Sequence, residues 1–187
     1  MKIFFSFATA AILMFMSTAI VSATAQPHIY FKTTASRFGL TDEFIIGVFL
    51  ESSIPINAFD IELGASQKKA SFEGFLNSDS LVEVWPEEPE IFSDGIVRLR
   101  GAMLKPFSGK AGEIIQLRFR AKEEGLFQIS LRQGVAYGAD GKGTSLSIPL
   151  ASVSVPIGGE GVHNSPAFAL DETPPKLSYA LTKDPFD

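Results

Sequence analysis

The chain contains no cysteine, only two histidines and a single tryptophan among 187 residues. Without cysteine there can be no disulfide framework and no thiolate zinc site. His28 and His163 stand far apart, and neither has a Ser-His-Asp, paired-carboxylate or His-cluster spacing around it. Basic residues are also scarce: 16 Lys and Arg face 21 Asp and Glu, for a formal net charge of −5, and they form no cluster. That balance excludes a basic groove for nucleic acid and disfavours anionic lipid. No sustained helical period runs through residues 26–157. The sequence therefore reads as a binding or structural protein, not an enzyme.

The first segment has the form of an address. Met1-Lys2 precedes an uncharged stretch, Ile3 to Val21, and then Ala23-Thr24-Ala25. A positive start, an apolar run and an A-x-A site describe a secretory signal peptide over residues 1–25, with a helical apolar part and Gln26 as the first mature residue. The competing reading is an uncleaved membrane anchor, since the run nearly reaches the roughly 20 residues needed to span a bilayer. Either way the remaining chain is expected outside the cytoplasm, extracellular or at the cell surface. An exported domain with no disulfide must be held by its own core, so a full-sized domain is expected.

Residues 26–157 show the period-two alternation of half-buried strands. Ile115, Leu117, Phe119 and Ala121 interleave with Gln116, Arg118, Arg120 and Lys122. Phe127, Ile129 and Leu131 interleave with Gln128, Ser130 and Arg132, and Val97 and Leu99 with Arg98 and Arg100. Ile29 to Lys32, Phe44 to Leu50, Ile56 to Leu63, Leu81 to Trp85 and Leu146 to Val155 are also rich in strand formers. Turn signals separate them, among them Ser93-Asp94-Gly95, Ser108-Gly109-Lys110, Glu123-Glu124-Gly125 and Asp140-Gly141-Lys142-Gly143. Eight or nine short strands at this spacing predict an antiparallel sandwich, its interior filled by phenylalanine. Residues 158–187 hold Pro166, Pro174, Pro175 and Pro185 without clean alternation, and read as a linker or poorly ordered tail.

Four passages, in order, carry a resemblance to a known family. They are Ile54 to Leu63 (IPINAFDIEL); Val84 to Pro89 with Phe92 to Gly101; Phe107 to Gly112 leading into Ile114 to Ala121 and Glu124-Gly125; and Gly134 to Thr144. Together they resemble bacterial cohesin domains, particularly the divergent cohesin-like modules of exported surface proteins. The resemblance implies a nine-stranded antiparallel β-sandwich of jelly-roll topology over residues 26–157. It also implies a non-catalytic module that binds a dockerin-bearing protein through one sheet face, as in polysaccharide-degrading assemblies. Related sandwiches bind carbohydrate, so polysaccharide is the alternative partner.

The resemblance places Asp60, Glu62, Arg98, Arg100, Gln128 and Arg132 on the outer side of one sheet. An ordinary solvated face accounts for such residues, because exposed cross-strand pairs are individually weak. A protein-docking surface accounts for them too. Trp85 reads as a packing residue or, if exposed, as a platform for a sugar ring, with Tyr137, Phe49 and Phe75 as further aromatic candidates. Glu87, Glu88 and Glu90 could supply oxygen ligands to calcium, but the D-x-D-x-D-G spacing is missing, so no cofactor is assigned. Asp140 to Thr144 reads as a hairpin turn, being neither a phosphate loop nor a calcium loop.

Overall fold

A computed structural model describes residues 26–92 and 94–159. The expected signal segment, the tail beyond Gly159, His163 and Ser93 lie outside the described residues. The described residues form eight strands and no helix: β1 (His28–Thr33), β2 (Glu43–Ala65), β3 (Ala70–Leu76), β4 (Glu90–Ile91), β5 (Ile96–Ala121), β6 (Gly125–Gly138), β7 (Ser145–Ser147) and β8 (Ser152–Ile157). All of their pairings are antiparallel.

Two long strands organise the fold. The first half of β2 pairs with β1 and with the second half of β5, which also pairs with β3. The second half of β2 pairs with the first half of β5 and with β6, while β4, β7 and β8 extend that layer. Register shifts in the β2–β5 ladder cluster between Val48 and Ala58, where β2 passes from one layer to the other. β5 crosses through Pro106, Gly109 and Gly112, residues that interrupt a flat ladder. The result is one hydrogen-bonded antiparallel sheet folded into two facing layers.

The expectation of nine strands is corrected to eight, because β2 and β5 each run continuously across both layers. Leu81 to Trp85 forms only an isolated bridge, Val84 to Ala102, and Leu146 to Val155 divides into β7 and β8. β3 was not anticipated. Its Gly74 has a positive φ of 137° at a bulge and interrupts the alternation there.

Side chains from both layers meet in one core. Phe44 and Phe119 of the first layer and Phe127 of the second are fully buried, with ring centroids 5.7, 5.3 and 4.9 Å apart. Such aromatic pairs add about 0.5–1.5 kcal/mol beyond the area they bury. Ile46, Leu50, Ile61, Leu63, Leu99 and Leu117 complete the interior. The sandwich closes where Phe38 bridges Ile157 in parallel, its N–H donating to the Pro156 carbonyl at 3.1 Å and its carbonyl accepting from Gly158 at 2.9 Å.

The 81–85 segment straps the other opening. Leu81 N–H donates to Glu113 of β5 in the first layer at 2.8 Å, and Val84 exchanges hydrogen bonds of 3.1 and 2.9 Å with Ala102 in the second. It lies so close that a Cβ on Gly101 would sit 2.6 Å from Val82 Cγ1 and 2.7 Å from Phe59 Cζ. Glycine there sets how near the strap can approach.

Candidate functional site: the outer face of the second layer

Strand alternation sends Val97, Leu99, Phe59 and Ile61 inward, so Arg98, Arg100, Asp60 and Glu62 must point outward. The register then makes them neighbours: Arg100 is opposite Asp60, and Arg98 is opposite Glu62. Arg98 donates to Glu62 Oε1 through Nε at 3.0 Å and Nη2 at 2.6 Å. Arg100 Nε donates to Asp60 Oδ2 at 2.9 Å, and its Nη1 reaches both oxygens of Glu87 at 3.2 Å. The hydrogen bond from Arg100 to Asp60, and then the charge of Asp60, push the guanidinium pKa above its usual value. Arg98 also lies 5.2 Å from the centroid of the Phe92 ring.

One strand further on, the bulge between Glu62 and Leu63 opposes Glu62 to Gln133 and Leu63 to Leu131, leaving Arg132 between them. The Arg132 stem lies over Gly64, where a Cβ would meet its Cδ at 2.8 Å. Gln128 is exposed farther along β6, opposite Ser154, and does not join the ion pairs. Of the six residues read from the sequence, four therefore form two neighbouring ion pairs, and Arg132 and Gln128 lie on their flank.

Toward the strap the same face turns apolar. Val84 is opposite Ala102, Ala102 is opposite Ala58, and Ala58 is opposite Tyr137, giving one row across the sheet. Glu87 and Phe92 had no local sequence signal for their role, because a loop's long-range partner is set by the pairing of the strands around it.

The aromatic candidates are not brought together in one row. Trp85 is half-buried and meets Phe59 edge-on, with centroids 6.3 Å apart at 83°. Phe75 packs against the core beside Phe72. Phe49 stacks on Tyr30 at 5.4 Å and is covered by Lys32 Nζ, 4.4 Å from its centroid. Tyr137 is half-buried on β6, apart from these three. Among the described residues no group of three His, Asp or Glu side chains is placed to hold a metal ion.

No family model and no curated protein matches the chain. Solved structures do match it in fold. A cohesin module from a family 33 glycoside hydrolase of Clostridium perfringens superposes with a TM-score of 0.62 at 14% identity, over 72% of this chain and 98% of that one. A non-cellulosomal cohesin from the archaeon Archaeoglobus fulgidus gives 0.58 at 14% identity, over 71% and 92%. A type I cohesin from a cohesin–dockerin complex of Clostridium thermocellum gives 0.55 at 14% identity, over 70% and 99%. The fold of this chain is the cohesin fold.

Proposed function

We propose that the chain is a non-catalytic protein-binding module of cohesin type, exported by its N-terminal segment, and that the outer face of the second layer receives a dockerin-like partner. The observation that carries this reading is the paired cluster of Arg98, Glu62, Arg100 and Asp60 on an open sheet face. The fold supports it, since matching cohesins of the same fold were solved in complex with dockerins. Charges held in fixed geometry on a flat strand surface set partner choice and association rate more than raw affinity.

The test is a yeast-displayed panel of dockerin modules challenged with the purified mature chain. Capture of at least one module, lost on Arg98→Glu with Arg100→Glu, is the expected result. Capture of none, or capture indifferent to both reversals, would retire the docking face. Export is checked separately by mass spectrometry of the secreted protein, which should begin at Gln26.

A further inference from the structure

The second-layer face carries its uncompensated charges at two opposite sides, with opposite signs. At its centre the charges are matched: Arg98 with Glu62, and Arg100 with Asp60 and Glu87. At the β4 edge, Glu88 and Glu90 have no ion pair among the described residues, and they line a recess of about 350 Å³ together with Pro89, Phe92 and Arg98. On β6, at the opposite side of the face, exposed Arg132 likewise has no acidic partner among the described residues. It lines a second recess of about 420 Å³ with Gln128, Ser130, Leu150 and Ser152.

Glu90 and Arg132 lie on one transverse row. Glu90 is opposite Arg98, Arg98 is opposite Glu62, and Glu62 is opposite Gln133 beside Arg132. Three interstrand steps of about 4.8 Å separate them by roughly 14 Å. The first recess is acidic in balance, three glutamates against Arg98, and Pro89 and Phe92 give it an apolar wall; the second sets Arg132 beside Leu150, which is 74% exposed. An aliphatic stem ending in a charge fits such a surface, because the stem covers the apolar wall while the head reaches the opposite charge.

We propose that the partner protein presents a lysine or arginine to Glu88 and Glu90 and an aspartate or glutamate to Arg132, about 14 Å apart, and so docks in one orientation. The reversed orientation sets like charges together at both sides, which disfavours it without any new contact. This rests on the protein-binding reading above, but not on the partner being a dockerin.

The test selects binders to the mature chain from a phage-displayed library of randomised miniprotein surfaces, which presumes no natural partner. Selected clones should carry both signs of charge. They should lose about tenfold or more in affinity on Glu88→Lys with Glu90→Lys, and again on Arg132→Glu. Swapping the clone's own charges should restore binding to the matching variant, while Glu51→Lys on the opposite layer should leave affinity within about twofold. Clones that keep their affinity in both reversal variants, or a selection without any charge-dependent clone, would overturn the polarity. Dockerin capture that persists in both variants would overturn it too, yet leave the protein-binding reading intact. Charge-dependent clones with no dockerin capture would support the polarity and overturn only the dockerin-like identity of the partner.

Discussion

Arg98 and Glu62 stand directly opposite one another on β5 and β2, and both Nε and Nη2 of the arginine converge on a single glutamate oxygen. The second oxygen of Glu62 takes no part in that pair, and the guanidinium carbon lies 5.2 Å from the centroid of the Phe92 ring. The pair is therefore fixed in direction while part of its hydrogen-bonding capacity stays open to a partner. That arrangement is more useful for recognition than for stability, since a half-exposed pair contributes little to folding.

A double-mutant cycle separates the two roles. Arg98→Ala, Glu62→Ala and the double variant should show a coupling of about 0.2–1 kcal/mol in urea unfolding. The same cycle measured on binding should show a larger coupling, because a partner that covers the pair removes it from water. Equal couplings in the two measurements would assign the pair to the fold alone.

Asp140 gives the pH dependence with a definite sign. Hydrogen bonds from the Thr144 hydroxyl and the Lys142 N–H hold its carboxyl below the usual aspartate range. A carboxylate depressed in the folded state contributes its stabilisation above its unfolded pKa and loses it as pH falls through the lower folded pKa. The hairpin turn should accordingly loosen only in strongly acidic solution. Thr144→Val removes the first donor and should raise the Asp140 pKa toward its usual value, read by carboxyl-carbon NMR titration. An unchanged titration would mean that the backbone donor alone sets the shift.

Strand alternation made the layers legible in the sequence. Val97, Leu99, Ile115, Leu117, Phe119, Phe127 and Ile129 are buried as their period requires. The same alternation put Arg98 and Arg100 outward, and the cohesin resemblance set Asp60 and Glu62 beside them on one sheet. Alternation says nothing about where a strand bends, however, so β2 and β5 looked like separate strands although their ladders run on through bulges. β3 escaped notice because Gly74 breaks its period. The recruitment of Glu87 to Arg100 depends on a strap fastened to both halves of β5, one in each layer, and no local pattern encodes that.

Trp85 offers an optical check on the strap. Its edge-on contact with Phe59 and its packing against the core place the indole between layer and solvent. Its emission should shift to the red on unfolding and stay unchanged during titration with soluble glycans, as the ring presents no open stacking face in line with another aromatic. A glycan-dependent spectral change would show that sugar reaches the ring and would reopen the strap as a binding element.

The glycines distinguish steric necessity from convenience. Gly101 and Gly64 both lie in the second layer with ordinary backbone angles, and a Cβ on either would meet a neighbour closer than 3 Å. At Gly101 the neighbours are Val82 and buried Phe59, which cannot withdraw without opening the core. At Gly64 the neighbour is the flexible stem of exposed Arg132. Gly101→Ala should therefore cost about 1–3 kcal/mol by overpacking, and Gly64→Ala well under about 1 kcal/mol. Urea denaturation of both variants measures this directly. Gly64→Ala should still weaken any partner that relies on Arg132, because the displaced stem moves the guanidinium away from its recess. Equal destabilisation by the two substitutions would show that the Arg132 stem is as firmly held as the core.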